Sequence, residues 1–335
     1  MTKNVTIKDI AREAGVSIAL VSFVMNNRIE ANGKKRYRVS ESTKQKILEV
    51  AKRMNYRPSS AARMLRKGRT HVIGILLSDL ANIFYGILAK EFERICYQNG
   101  YTVLFGSTEE DPERFDRLVQ SFLEKDVEGF ILVPCVGSGK TITQIIESGR
   151  PFVTIDRYHP DYHVPSVFID NIGIMRKAVE ALIQQGGQRL GLVSYDLRIS
   201  TMIEREEGFR DIAGNDAPIY LVNSDNMERD AEKATEDILE RKLDGIVTAS
   251  NVISVSMIKA LRKKGVKIQK DIHLVSFDFS NVYDLFSPAI TYVQQPLPQI
   301  AQESAEYLFR LIDMKNRGED ISNIKENIIL KASLI

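Results

Sequence analysis

The 335-residue sequence has no tryptophan, only four histidines and two cysteines, and no uninterrupted apolar run of 18 residues. The scarcity of cysteine excludes a disulfide scaffold, and Cys96 and Cys135 are expected to be free buried thiols in a reducing compartment. The lack of a long apolar run excludes a membrane-spanning helix, and residues 1–12 lack the apolar segment of a secretory signal. We therefore expect a cytoplasmic protein.

The charge is unevenly distributed along a chain whose length predicts two domains or more. Overall, 46 Lys and Arg against 44 Asp and Glu leave a net charge of +2. Residues 1–70 hold 17 basic and 5 acidic residues, a net charge of +12, so the remainder carries −10. A basic N-terminal segment on an acidic body predicts that the segment contacts a polyanion and that the body does not.

After residue 70, short β-branched runs alternate with longer stretches of helical period, which predicts βαβ units and parallel sheets. Ten strand candidates are too many for one sheet, so we predict two α/β lobes with a ligand cleft at the carboxyl ends of their strands. A C-terminal strand at 327–331 is expected in the second lobe. The predicted boundaries are 1–57 for a helical head, 58–70 for a hinge helix and linker, 71–168 with 293–320 for the N-terminal lobe, and 169–292 with 321–335 for the C-terminal lobe.

The first 60 residues carry no strand signal and read as three short helices. Thr6 can cap the first helix with Asp9 three residues later, and Ser17 can cap the second. Between them, Gly15 suits a tight turn that needs a positive φ. This pattern predicts a helix-turn-helix, whose second helix enters a DNA major groove. The alternative, a generic helical hairpin, does not explain the basic charge.

The N-terminal motif resembles the lactose-repressor/galactose-repressor (LacI/GalR) family. The resemblance is carried by Thr6–Ser17 (TIKDIAREAGVS), Val21-Ser22, Asn26, Val39-Ser40-Glu41, Asn55-Tyr56-Arg57-Pro58 and Ala62-Arg63-Met64-Leu65. It implies an N-terminal all-α helix-turn-helix head plus an α/β periplasmic-binding-protein-like core of two parallel-sheet lobes. It also implies a homodimeric transcriptional regulator, most often a repressor, that binds near-palindromic operator DNA under the control of a small effector in the cleft. A carbohydrate effector is favoured, a purine or nucleoside is the alternative, and no cofactor or metal is implied.

The resemblance assigns DNA-binding roles to thirteen positions of the head and hinge. Leu65 would be the apolar wedge that the hinge helix inserts into the minor groove at the operator centre. The thirteen residues are Thr6, Ile7, Ser17, Ile18, Ala19, Ser22, Phe23, Asn26, Asn55, Tyr56, Ser59, Ala62 and Leu65.

An insert of roughly eight residues between 28 and 38 departs from the family pattern and carries Lys34, Lys35, Arg36 and Arg38. It is interpreted either as a solvated basic loop or as a source of extra phosphate contacts. Such contacts would steepen the dependence of DNA binding on salt.

Ten residues at or just after predicted strand ends are the candidate effector-binding residues. They are Asn82, Phe84, Tyr85, Asp156, Arg157, Arg205, Ser250, Asn251, Asp278 and Gln295. A sugar-sized ligand needs side chains that bracket its hydroxyl groups and an aromatic platform, which here must be Phe or Tyr. The resemblance favours Arg205 and Asp278 most, followed by Asp156 and Phe84.

Structural alternatives exist for these candidates. Strand-end Asp and Asn side chains often cap helices, and Phe84 and Tyr85 could be core residues of the following helix. Arg205 could form an ion pair within Glu204–Glu207. Asp170-Asn171 matches a family motif and is interpreted as a cap of the next helix.

Other functional classes fit the sequence poorly. A solute-binding transport protein predicts a signal peptide and no basic head. Gly137–Thr141 resembles the end of a phosphate loop, but Pro134 stands where the motif requires glycine. His159 and His163 lie in a proline-rich loop rather than on one helix face, so we predict neither a metal site nor catalytic residues.

Phe23 stands where the family usually has an arginine that can read guanine through two hydrogen bonds. A phenyl ring can only contact a thymine methyl group or pack, so we predict a half-site preference shifted from the usual family consensus. Selection of binding sites from randomised DNA tests this. Recovery of the ordinary consensus would contradict it.

Overall fold

The computed structural model describes residues 5–25, 39–56 and 69–335 of the chain. It contains two compact units, Met1–Thr70 and His71–Ile335. Within the described ranges, no helix is both long and apolar enough to cross a membrane. Cys96 and Cys135 are buried free thiols, and burial raises their pKa values to about 12 and about 11.

The first unit is helical where it is described, with α1 at Ile7–Ala14, α2 at Ile18–Met25 and α3 at Glu41–Arg53. The predicted caps are present. Thr6 and Asp9 form a reciprocal capping box, and the Ser17 hydroxyl accepts a hydrogen bond from the Leu20 amide at 3.1 Å. Gly15 ends α1 with φ 66° and so supports the turn into α2.

A small apolar core holds these helices together. Ile10, Val21 and Ile47, one from each helix, are completely buried. Ala11 and Ala14 lie in the same cluster, where their small side chains let the helices approach closely. This packing, rather than the intrinsic stability of helices of 8 to 13 residues, stabilises the unit.

The second unit contains two six-stranded sheets with the same strand order. The first sheet is parallel throughout, with the strand order β11-β5-β4-β3-β1-β2. Its strands are β1 Val72–Leu77, β2 Thr102–Ser107, β3 Gly129–Leu132, β4 Phe152–Ile155, β5 Ser166–Ile169 and β11 Asn327–Leu330. The second, in the order β12-β10-β9-β8-β6-β7, consists of β6 Leu190–Tyr195, β7 Ile219–Val222, β8 Gly245–Thr248, β9 His273–Phe277, β10 Thr291–Gln294 and β12 Ser333–Leu334. Only the short β12 is antiparallel, to β10.

Eight helices cover these sheets. They are α4 Ile83–Gln98, α5 Pro112–Glu124, α6 Gly139–Glu147, α7 Asn171–Gln184, α8 Ser200–Ala213, α9 Met227–Glu240, α10 Asn251–Lys263 and α11 Leu297–Asn316. In the first sheet, Ile73 and Ile75 belong to the core under α4 and α11, whereas Leu76 belongs to the core under α5 and α6. Burial on both faces explains why these strands are runs of Val, Ile and Leu rather than alternating patterns. The predicted head and two-lobed α/β core are confirmed.

The C-terminal segment differs from the prediction. Strand 327–331 was expected in the second lobe, but β11 pairs with β5 at the edge of the first sheet, and only β12 reaches the second. In addition, β10 continues to Gln294, so the chain returns to the first lobe after 294 rather than at 293. Periodicity identifies a strand, but hydrogen-bond pairing decides which sheet it joins.

Gly208 lets α8 pack closely against α7. A Cβ atom there would lie 2.6 Å from the Ile172 carbonyl oxygen. We therefore predict that Gly208→Ala lowers the free energy of unfolding by about 1–3 kcal/mol in urea titrations. The matched control is Gly86→Ala in α4, where the nearest atom is 4.0 Å away and the substitution should be neutral or stabilising by up to ~1 kcal/mol. Equal stability of the two variants would contradict the close approach.

Candidate functional site

A cleft of about 400 Å³ lies at the carboxyl ends of strands from both lobes. Eight of the ten predicted effector residues line it: Asn82, Phe84, Tyr85, Asp156, Arg157, Arg205, Ser250 and Asp278. The other two, Gln295 and Asn251, do not line the cleft, but each forms a hydrogen bond with a residue that does. The Gln295 side-chain amide donates to Asp278 at 2.7 Å, and the Asn251 amide donates to Asn82 at 3.2 Å.

The N-terminal lobe contributes a buried cluster of charged groups. Arg157 follows β4, is 3% exposed, and donates from Nη1 and Nη2 to the two carboxylate oxygens of Glu110 at 3.1 and 2.5 Å. Its Nε lies 3.5 Å from Asp156. Burial by itself lowers the pKa of Arg157, but Tyr85, Glu110 and Asp156 together raise it above its ordinary value. The guanidinium is therefore held charged by groups of its own lobe.

Asp156 is positioned by both backbone and side chain. Its φ of 68° is left-handed, a conformation that Asp tolerates better than most residues. The Tyr85 hydroxyl donates to Asp156 Oδ2 at 2.9 Å. Burial, with the nearby Asp156 charge, raises the pKa of Tyr85 well above its usual range, so the phenol stays protonated and remains a donor.

In the C-terminal lobe, Arg205 is buried without a carboxylate partner. Its Nε donates to Asn171 Oδ1 at 3.0 Å, its Nη1 donates to the Ala249 carbonyl at 2.8 Å, and its guanidinium carbon lies 3.7 Å from the centre of the Phe277 ring. No ion pair joins it to any carboxylate of the described chain, so the predicted alternative within Glu204–Glu207 is wrong. Burial lowers the pKa of Arg205, and Asp278 offsets this shift in part.

Asp278 follows β9 as Asp156 follows β4, and it too is left-handed, with φ 65°. Burial raises its pKa to about 6, although Arg205 and the Gln295 hydrogen bond both act in the opposite direction. Since β4 and β9 occupy the same place in the strand order of their sheets, each lobe presents one aspartate to the cleft from an equivalent strand end.

Tyr158 also joins the lobes beside the cleft, through two residues of α8. The Tyr158 hydroxyl donates to Glu204 at 2.8 Å, and the Tyr158 backbone exchanges hydrogen bonds with Ser200 on the same helix, α8. Glu204 also accepts from the Asn171 amide at 3.0 Å, whose oxygen accepts from Arg205. A continuous hydrogen-bonded path therefore runs from the interlobe contact to the cleft arginine.

The capping alternatives are correct for Asn82 and Asp170, and Ser250 also caps a helix. Asn82, Asp170 and Ser250 each accept a hydrogen bond from a backbone amide at the start of the following helix. Asn82 and Ser250 nevertheless line the cleft. Asn171 belongs to the Arg205 path rather than to the cap. Phe84 and Tyr85 are both core residues and cleft residues, since each is under 8% exposed and in contact with the cavity.

The described DNA-binding candidates lie mostly at the surface of the head. Thr6, Ser17, Ile18, Ala19 and Asn55 are exposed, and Ile7, Ser22, Phe23 and Tyr56 are half-buried. Ile18 is 49% exposed at the start of α2. Asn26, Ser59, Ala62, Leu65 and the insert at 28–38 lie outside the described residues.

Comparison with known proteins decides the family. Residues 6–59 match the model of the lacI family of bacterial regulatory proteins, and residues 73–283 match that of a periplasmic binding protein domain. The ribose operon repressor of Halalkalibacterium halodurans is 32% identical, over 92% of this chain and 91% of that protein. The chain belongs to the lacI family.

Other relatives agree with this assignment. Catabolite control protein A of Staphylococcus epidermidis is 28% identical over 97% of this chain and 96% of that protein. A crystal structure of the lac repressor dimer bound to operator and an anti-inducer matches with a TM-score of 0.82 at 21% identity, over 99% of this chain and 98% of that chain, which shows the shared fold. This lacI-family chain is thus a DNA-binding transcriptional regulator with a ligand-binding core of the periplasmic-binding-protein type.

Glu110 is the main cleft residue absent from the predicted set, together with Ser78 and Tyr195. Ser78 and Tyr195 lie at the ends of β1 and β6, and the predicted candidates Asn82 and Arg205 lie a short distance further along the chain from these strands. Glu110 follows β2, a strand end from which no candidate was taken. The same strand-end rule, applied to every strand, would have found it.

Asp278 generates a prediction about stability in the lacI-family core. Because burial raises its pKa to about 6, the native state binds its proton more tightly than the unfolded chain. The contribution of Asp278 to the free energy of unfolding should therefore fall as pH rises from about 4 to about 6 and stay low above that range. Asp278→Asn still accepts from Gln295 and should stabilise the protein at pH 7 by about 1–3 kcal/mol.

The measurement is urea denaturation at pH 5 and pH 7. The control is Asp313→Asn on the exposed face of α11, which should change stability little at either pH. A destabilised Asp278→Asn variant at pH 7 would show that the carboxylate serves the fold rather than the cleft.

Proposed function

We propose that the chain is a repressor whose affinity for operator DNA is controlled by a carbohydrate bound in the interlobe cleft. The arrangement of Arg205 and Asp278 carries this proposal. One is a buried donor without a carboxylate partner, the other is a buried acceptor with a raised pKa, and no ion pair joins them. A ligand hydroxyl can accept from one and donate to the other, which is the chemistry that a sugar offers.

The rest of the cleft suits the same ligand class. Asp156 presents a second carboxylate acceptor from the opposite lobe, and Phe84 offers an aromatic surface with its ring 4.9 Å from Tyr85 at right angles. Ser250 and Asn82 add polar groups at helix starts. Hydrogen-bonding groups from both lobes allow one ligand to hold the lobes in a single arrangement.

The proposed mechanism is a shift between two arrangements of the lobes. A bound sugar that engages Arg205 from one lobe and Asp156 from the other favours the arrangement in which both contacts are made. The Tyr158–Glu204 contact would respond, because Asn171 connects it to Arg205. A ligand with equal affinity for both arrangements would not change their populations. The difference in affinity must therefore come from ligand contacts that bridge the two lobes.

The DNA-binding part of the proposal rests on the head. The exposed start of α2, with Ser17, Ile18 and Ala19, is the surface that would read the major groove, with Ser22 and Phe23 beside it. The remaining candidates, Thr6, Ile7, Asn26, Asn55, Tyr56, Ser59, Ala62 and Leu65, would contact the DNA backbone or the minor groove. We propose a homodimer on a near-palindromic operator, acting in the cytoplasm as a regulator rather than as an enzyme.

Arg205→Lys should separate DNA binding from ligand control. It keeps the charge but removes the planar donor set that holds Asn171 and Ala249. We expect near-normal operator affinity and at least a tenfold loss of sugar response. Titration of DNA from upstream of the chain's own gene, at fixed salt with a panel of sugars and nucleosides, measures both.

The control is Arg210→Lys on the same helix, where the guanidinium bonds only to the nearby Asn215 carbonyl. It should behave as the unmodified protein does. Specific binding weakened by a sugar supports an inducible repressor, whereas binding that requires the sugar would indicate a corepressor. A response only to nucleosides would replace the carbohydrate proposal, and sequence-independent binding throughout would contradict the regulator proposal.

A further inference from the structure

The cleft is lined by more acidic than basic side chains. Among its lining residues are six carboxylates and two guanidiniums, with no lysine or histidine: Asp79, Glu109, Glu110, Asp156, Asp225 and Asp278 against Arg157 and Arg205. Any charged group on an effector therefore enters a region of negative potential.

The guanidinium of Arg157 is already paired, and that of Arg205 lies close to two carboxylates of the cleft. Arg157 donates from both terminal nitrogens to Glu110, and its Nε is next to Asp156. Glu110 is itself fixed, because the Ser78 hydroxyl also donates to it. Arg205 uses Nε and Nη1 on Asn171 and Ala249 and lies against the Phe277 ring. A phosphate or carboxylate placed beside Arg157 would lose water without gaining an unpaired cation, and one placed beside Arg205 would face Asp156 and Asp278.

We infer that Glu110 makes the cleft reject anionic sugars, so that its ligands are uncharged sugars or amino sugars and not sugar phosphates or uronic acids. The inference rests on the proposed function and deepens it by assigning a charge class to the effector. Glu110 acts by neutralising Arg157, which would otherwise be the anion-binding group of the N-terminal lobe. It is a specificity-determining residue rather than a sugar contact.

The first test uses the unmodified full-length protein and matched ligands. Calorimetric titration compares glucose, galactose, mannose and ribose with their terminal phosphates, with glucuronate and galacturonate, and with glucosamine, galactosamine and mannosamine. We expect the phosphate or uronate of any sugar that binds to bind at least tenfold more weakly than its parent. Tighter binding of an anionic derivative than of its parent would overturn the inference.

The second test uses Glu110→Gln, which keeps the side-chain shape but leaves Arg157 partly unpaired. We expect it to gain at least tenfold in affinity for the anionic derivatives and for inorganic phosphate, measured at constant ionic strength. The gain must disappear in Glu110→Gln/Arg157→Gln, because phosphate bound to the basic head would be unaffected by Arg157. Circular dichroism checks that both variants are folded.

The matched control is Glu113→Gln, whose carboxylate lies 3.9 Å from the exposed Arg117 and does not line the cleft. It should show no gain for phosphate. An unchanged phosphate affinity in folded Glu110→Gln would overturn the role of Glu110. If no sugar binds any form but Glu110→Gln still gains phosphate, the charge selectivity stands and the carbohydrate proposal fails, so the two failures can be told apart.

Discussion

Two buried guanidinium groups, Arg157 and Arg205, impose the constraint on which the cleft depends. A charge removed from water destabilises the fold unless its hydrogen-bonding capacity is met by nearby groups. Arg157 donates from both terminal nitrogens to Glu110 and lies beside Asp156, whereas Arg205 donates to a neutral amide and a backbone carbonyl and lies against an aromatic ring. In the N-terminal lobe, Arg157 is therefore paired with carboxylates, whereas in the C-terminal lobe Arg205 has no carboxylate partner within the described residues.

The repeated strand order of the two sheets places these groups opposite one another. In each lobe, the third strand of the sheet is followed by an aspartate with a left-handed backbone, Asp156 after β4 and Asp278 after β9. A left-handed residue turns the chain sharply at the strand end and directs the following segment across the edge of the sheet. Two lobes built on one plan therefore supply acceptors from both sides of the cleft.

The cleft and the contact between the lobes share the same groups. Arg205, Asn171 and Glu204 form one hydrogen-bonded path that ends at Tyr158, a residue of the other lobe. Burial raises the pKa of Glu204, and hydrogen bonds from Tyr158 and Asn171 oppose this shift. The contact between the lobes is thus connected by hydrogen bonds to Arg205 in the cleft.

Local sequence signals were enough to predict the helices and strands and a ligand site at the strand ends. Caps and a turn glycine identified the three helices of the head, and runs of Val, Ile and Leu identified the strands of both sheets to within a few residues, because both signals are local. Strand-end residues such as Arg205 and Asp278 could be named because parallel sheets bring such ends together.

The contacts between residues that are far apart in sequence are visible only in the assembled fold. In that fold, β11 pairs with the first sheet rather than the second. Arg157 forms an ion pair with Glu110, and Arg205 donates to neutral groups rather than to the neighbouring glutamates. Each of these outcomes depends on contacts between residues 34 to 161 positions apart in sequence. Local periodicity carries no information about such pairings, because hydrogen-bond geometry and burial select them only when the sheets are assembled.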